Sequence, residues 1–302
     1  MKQIIQRHKN KIIFTSPILL LALLIFGALY FSSYKSPLPP KDIPDDNKSA
    51  ALQNFKNLEI KAQAFVIYDA TQKRIIYSRN ELAQLPLASS TKIMSTLAAL
   101  DIADKNLIID VRSDSRFDRV NDKSSLLPGG WKLSDLLKLT LVSSSNSGIN
   151  IISDQLPPLL EFMNQKATSL GLNQTYFLNE SGLDIDENLS GAYGSALDMA
   201  ILFDYAIKIS PDVLGATKYN SITINSIEGY SETRSNTNPI VSQIEGLVAS
   251  KTGLTDLAGG NLVIAFNVKE KNRIIIVVLG STQDGRFRDT EILTKATLDY
   301  YK

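Results

Sequence analysis

The chain has 302 residues, 44% hydrophobic and 21% charged, with a formal net charge of +1, the profile of a globular protein with no global pull toward nucleic acid. It contains no cysteine and a single histidine, His8, near the N-terminus. Disulfides, thiolate nucleophiles and Cys-ligated zinc are therefore excluded, and the folded body can build neither a Ser-His-Asp triad nor a His-ligated metal.

Residues 1–11 carry Lys2, Arg7, Lys9 and Lys11 and no acid, and the stretch Ile12–Phe31 that follows holds no charge. Such a stretch spans the roughly 30 Å of bilayer hydrocarbon as a helix. It exceeds the roughly 7–15-residue core of a signal peptide and lacks a small-x-small cleavage site. The alternative, a buried core helix, rarely runs this far without a polar face. The sequence predicts a cytoplasmic tail (1–11), an uncleaved transmembrane anchor (12–33) and, from the positive-inside rule, an extracytoplasmic remainder held at the cell membrane. Residues 34–57, including "SPLPPKDIP", read as a Pro-rich linker, and 58–302 as one folded domain.

In that domain "AQAFVIYDA" and "KRIIYS" are β-branched and aromatic runs separated by "TQ", which predicts an antiparallel hairpin. "TKIMSTLAALDIA", "KLSDLLKLTLV", "NSGINIISDQL", "LLEFMNQKATSLG" and "SALDMAILFDYAIKI" then repeat apolar residues every three or four positions, so a helical block fills about residues 90–210. Strands return in "GLVASKTG", "GGNLVIAFNVKE" and "NRIIIVVLG", and "DTEILTKATLDYYK" closes the chain as an amphipathic helix. The expected class is α/β, of the α+β kind. One antiparallel sheet is built from both ends of the chain and flanked by helices, a mostly helical lobe is inserted, and the site lies in the cleft between them.

Three polar stretches interrupt this pattern. "PLASSTKIM" sets Ser89 and Lys92 three residues apart, on one face of a helix. "VSSSNSG" carries Ser144 and Asn146 between two helical runs, and "ASKTGLT" carries Lys251, Thr252 and Gly253 at the end of a strand. Each has a plain structural reading, as a helix cap or a strand end. In this order, and on these elements, the three resemble the motif set of serine β-lactamases and penicillin-binding proteins.

The resemblance is closest to the serine-type D-alanyl-D-alanine carboxypeptidases, the low-molecular-weight penicillin-binding proteins of peptidase family S11, and it covers nearly all of Ala64–Lys302. "LPLASSTKIMST" resembles the family's Pro-Ala-Ser-x-x-Lys helix start, and "WKLSDLLKLTLVSSSNSG" its Leu-Leu…Ser-x-Asn-Asp-Ala segment. "ATSLGLNQTYFLNESGLD" and "SNTNPIV" resemble its Leu-Gly…Phe-x-Asn-x-x-Gly-Leu and Asn-Thr-Asn segments. Departures are Leu87 in place of Pro, Ser147-Gly148 in place of Asp-Ala, and "LVASKTG", which lacks the more frequent Asp-Gly-Ile before Lys-Thr-Gly.

The resemblance implies a β-lactamase/DD-peptidase-like fold and removal of the terminal D-alanine from peptidoglycan stem pentapeptides through an acyl-enzyme on Ser89, without metal or organic cofactor. A serine hydroxyl needs a base. With no histidine in the domain, Lys92 is the available one, provided that burial and the second cation Lys251 keep it neutral. Ser144 would pass a proton to the leaving D-alanine, and Asn146 would bind the substrate amide and orient Lys92. The backbone N–H groups of Ser89 and Leu254 would hold the oxyanion. Lys251 and Thr252 would bind the terminal carboxylate, and Gly253 would admit the substrate backbone. Arg288, in "GRFRDTE", resembles a family arginine near that carboxylate; its alternative is an exposed surface charge. β-Lactam antibiotics would acylate Ser89. Competing readings are a D,D-endopeptidase acting on crosslinks, a β-lactamase using Glu180 to activate water, and a catalytically silent wall-binding protein.

Overall fold

The computed structural model describes residues 55–111, 126–269 and 272–302, all within one unit, Pro44–Lys302. The tail and anchor expected at 1–33, and the linker up to residue 54, lie outside the described residues. Among the described residues no helix is long and apolar enough to cross a membrane.

In chain order, β1 (Ala64–Asp69) and β2 (Arg74–Arg79) form the expected hairpin, and β3 (Leu85–Pro86) leads into a 3-10 turn at Ala88–Thr91. That turn runs directly into α1 (Lys92–Ile102). A ribbon of β4 (Ile108–Val111) and β5 (Gly129–Lys132) precedes α2 (Leu133–Ser143), α3 (Asn146–Gln155) and α4 (Leu159–Ser169). Next come β6 (Tyr176–Phe177), β7 (Ala192–Gly194), α5 (Ala196–Ile209) and the short α6 (Pro211–Gly215), then a hairpin of β8 (Ser221–Asn225) and β9 (Ser231–Ser235). The chain ends with β10 (Leu247–Thr255), β11 (Gly259–Val268), β12 (Asn272–Ser281) and α7 (Gly285–Tyr300).

The main sheet is antiparallel throughout, in the order β10-β11-β12-β1-β2. Its side chains obey the two-residue period of a strand. Phe65, Ile67, Leu262, Ile264, Phe266, Ile274, Ile276 and Val278 face one core, which α7 covers with Leu293 and Tyr300. Ala64, Val66, Val263, Ala265, Ile275, Val277 and Leu279 face the other, shared with the inserted helices. Both faces are buried, so the inner strands read as continuous apolar runs rather than alternating ones.

α1 is the central helix of the inserted part: every residue from Lys92 to Ala99 is buried, including Ser95 and Thr96. Buried on every side along this stretch, it belongs inside the protein rather than on its surface. Phe55, which the boundary at residue 57 assigns to the linker, is 1% exposed and stacks on Tyr77 with ring centroids 5.1 Å apart. The folded body therefore already includes Phe55.

Candidate active site

The first group is built where the sheet hands over to α1. Ala88 is forced into left-handed backbone (φ 47°) and starts the tight turn that carries Ser89 into the helix, a conformation that costs a non-glycine residue roughly 1–2 kcal/mol. Within the turn Ser89 does not cap α1: Thr91 is the N-cap residue, and its side chain makes no cap bond. One helical turn on, Lys92 lies on the same face, with Nζ 2.8 Å from Ser89 Oγ.

Lys92 is fully buried. Its Nζ donates to Asn146 Oδ1 at 2.8 Å and to the Ser181 carbonyl at 2.9 Å. Both partners only accept, so they take both N–H bonds of a neutral amine and leave its lone pair for the Ser89 hydroxyl. Burial lowers the Lys92 pKa from 10.5 to about 7 because the charged form loses its hydration. The sequence reading gave part of this effect to a neighbouring ammonium; for Lys92 burial carries it.

The second group comes from the α2–α3 junction. α2 ends at Ser144 in left-handed conformation (φ 57°), and Ser145 caps α3, its Oγ accepting from Gly148 N at 2.9 Å. Capping thus does occur in this serine run, at its last residue. With the junction fixed, Asn146 opens α3 facing Lys92, and Ser144 Oγ accepts from Lys251 Nζ at 2.9 Å.

Lys251 lies on β10, paired with Val263 of β11, and is 1% exposed. It also donates to the Thr252 carbonyl at 2.8 Å. Burial first, then the charges of Lys92 and Arg286, hold its pKa well below the ordinary lysine value. At Gly253 a Cβ would lie 2.9 Å from the Leu87 carbonyl oxygen, so this glycine is what lets β10 lie against the turn that carries Ser89. The sequence reading assigned that room to the substrate backbone alone. Leu254 follows, 41% exposed, on the open side of the same strand end.

Arg288 requires a correction. It is exposed, whereas Arg286 is buried and its Nη1 donates to the Gly253 carbonyl at 2.9 Å. Two positions on a helix differ by about 200°, so only one of these arginines on α7 can face β10. Arg286 Nε is buried without a hydrogen-bond partner.

Sequence reasoning also missed the loop 179–191, whose backbone and side chains brace the site. Ser95 Oγ donates to the Glu180 carbonyl at 2.6 Å, and Ser181 supplies the carbonyl bound by Lys92. Asp184 accepts from Thr255 Oγ1 at 3.0 Å and from Leu257 N at 3.1 Å, which ties the loop to the end of β10. Glu180, named as a water-activating acid, has its carboxylate engaged by Ser153 Oγ at 2.7 Å. "FLNESGLD" was the available signal, but a role played by a backbone carbonyl leaves no residue type to read.

Among the described residues no cluster of His, Cys, Asp and Glu could hold a metal ion. A buried serine–lysine pair beside a second hydroxyl–ammonium pair, set between a five-stranded antiparallel sheet and a central helix, defines a serine hydrolase of the DD-peptidase fold. Residues 48–283 match the D-alanyl-D-alanine carboxypeptidase family, peptidase S11, and the chain belongs to that family. The D-alanyl-D-alanine carboxypeptidase DacD of Escherichia coli (strain K12) is 31% identical over 74% of this chain, which covers 59% of that protein. The D-alanyl-D-alanine endopeptidase of the same organism is 28% identical over 76% of this chain and 75% of its own length. Among solved structures, penicillin-binding protein D2 of Listeria monocytogenes in its ampicillin-bound form superposes with a TM-score of 0.68 at 27% identity, covering 80% of this chain and 98% of that one.

Proposed function

We propose that this protein is a serine D,D-carboxypeptidase that removes the terminal D-alanine from peptidoglycan stem pentapeptides and is acylated by β-lactams at Ser89. The observation that carries the reading is Lys92 Nζ, 2.8 Å from Ser89 Oγ and within bonding distance of Asn146 Oδ1 and the Ser181 carbonyl; in the neutral amine those two acceptors take its N–H bonds and its lone pair faces the hydroxyl. Ser89 Oγ attacks the carbonyl between the two D-alanines while its proton passes to Lys92. The oxyanion is held by the N–H groups of Ser89 and Leu254. Ser144, hydrogen-bonded to Lys251, delivers a proton to the leaving D-alanine nitrogen and takes in exchange the proton that Lys92 received from Ser89, so that Lys92 is neutral again; Asn146 binds the acyl-side amide. Water then attacks the ester with Lys92 again as base, freeing the shortened peptide and restoring the Ser89 hydroxyl. Lys251, Thr252 and Arg286 receive the terminal carboxylate. The catalytic domain works outside the cytoplasm, held at the membrane by the anchor at 12–33 through the linker that follows it.

The test is D-alanine release from diacetyl-Lys-D-Ala-D-Ala by the purified full-length chain beside Ser89→Ala. Release by the wild type and a fall to background in the variant are expected. Equal release by both would overturn the nucleophile, and release by neither would overturn the carboxypeptidase reading. A second reading, D,D-endopeptidase, is favoured by the relatives of that name, 28% identical over 76% and 80% of this chain. Cleavage of a crosslinked muropeptide without D-alanine release from the pentapeptide would select it.

A further inference from the structure

Thr237 lies in the loop between β9 and β10, far in sequence from both reactive serines, yet its hydroxyl sits 2.6 Å from the hydroxyl of Thr252. Its backbone N–H donates to the Val142 carbonyl at 3.0 Å, which anchors the loop to the last turn of α2, two residues before Ser144. Asn236 fixes the same loop from the other side, its Nδ2 donating to the carbonyls of Thr217 and Tyr219 at 2.8 and 2.9 Å. The Thr237 side chain is thus held in place by bonds that its own hydroxyl does not make.

Two hydroxyls in contact share their protons in one of two ways. In the first, Thr237 donates to the Val142 carbonyl, 3.4 Å away, and accepts from Thr252, whose single proton is then used up. In the second, Thr237 donates to Thr252, whose proton is free to point into the site. A distance of 3.4 Å is long for a hydroxyl hydrogen bond, so the first arrangement gains little over the second. An anion against Thr252 favours the second, because the donated hydrogen bond is charge-assisted and each hydroxyl in the chain polarises the next.

We propose that Thr237 is a positioning residue that relays a hydrogen bond through Thr252 to the ligand carboxylate, so that this site selects ligands with a free carboxylate over neutral ones. The inference rests on the reading that Thr252 and Lys251 face that carboxylate. Thr237 touches no reacting atom; it sets which way the Thr252 proton points. A methyl in place of the hydroxyl leaves Thr252 with an unpolarised, freely rotating proton.

The test uses the full-length chain and a pair of probes that differ only in charge, benzylpenicillin and its methyl ester, with the second-order rate constant for acylation of Ser89 read for each. The ratio of acid to ester is expected to fall about fivefold in Thr237→Val and Thr237→Ala, the loss of one charge-assisted interaction acting at second hand, and to stay at the wild-type value in Thr237→Ser. Because the ratio is taken within each protein, a smaller folded fraction cancels. An unchanged ratio in Val and Ala overturns the relay, and so does an equal fall in Ser. If the wild type itself fails to prefer the acid, the carboxylate reading of Lys251 and Thr252 falls, and the relay with it.

Discussion

Replacing Lys92 by Met is expected to slow acylation of Ser89 by labelled penicillin by about 10³-fold, the range of a lost general base, and to stabilise the folded protein at the same time. The two effects have one cause. The amine is fully buried and its pKa drops from 10.5 to about 7, so between those values the folded protein binds fewer protons than the unfolded chain. Stability of the wild type therefore rises with pH from about 7 toward 10.5, and below 7 the fold carries the full cost of a buried ammonium. Methionine fills a similar volume without a charge and removes that slope. At pH 6 the variant should be more stable by about 1–3 kcal/mol: the depressed pKa of the ammonium costs the fold roughly 5 kcal/mol, against about 2–4 kcal/mol for leaving Asn146 Oδ1 and the Ser181 carbonyl without their donor. In the wild type the acylation rate should climb with pH through about 7 as Lys92 loses its proton. Denaturant titrations at pH 6 and pH 9, with a pH–rate profile, check both parts. A rate that is flat with pH across 6–8, or a variant less stable than wild type at pH 6, would refute this account.

Gly182→Ala carries the second large effect. Gly182 has φ +75°, and a Cβ there would lie 1.9 Å from the Ala88 carbonyl oxygen and 2.4 Å from Thr91 Oγ1. Backbone cannot swing aside as a lysine tip can, so either the loop or the turn before Ser89 must move. Left-handed strain and overpacking together should cost about 3 kcal/mol, a fall in Tm of roughly 5–10 °C for a domain of this size. Displacing the loop also takes the Ser181 carbonyl from Lys92, so acylation should slow by at least about tenfold, as misplacement of a catalytic group does. A thermal scan and the same penicillin assay decide it; wild-type values in both would show that the contact is slack.

The legible parts of this chain are those in which a residue type must repeat. β11 and β12 announced themselves through long β-branched runs, and α1 to α5 through three- and four-residue spacing. The ribbon β4–β5 and the hairpin β8–β9 did not, because "IIDV" and "GGWK" are too short for a period and "SITIN" and "SETRS" bury few of their residues. In the site, Ser89, Lys92, Ser144, Asn146 and Lys251 were named through the resemblance of three motifs, and the fold joins their side chains into two hydrogen-bonded groups, Ser89–Lys92–Asn146 and Ser144–Lys251. Arg286 was missed by two positions: both arginines of "GRFR" fit the residue type, and only the rotation of α7 about its axis separates them. Ser181 acts through its carbonyl and Thr237 through a neighbour, and neither role selects a residue that a pattern could flag.

The pairing of β1 with β12, Ala64 beside Leu279, bears on how the protein is made. The ribosome delivers the chain from its N-terminus, so Ser89 and Lys92 emerge long before β10 to β12, which complete the sheet. Until β10 to β12 arrive, the turn that carries Ser89 has no Gly253 to lie against and Ser144 has no Lys251. Contacts of such sequence separation form slowly, and at about 5–20 residues per second synthesis leaves a nascent intermediate waiting for roughly 10–40 seconds. A chain cut short before β10 thus holds Ser89 and Lys92 but neither the strand its turn lies against nor Lys251, and the site is assembled only when the body of the fold has been made to its last strands.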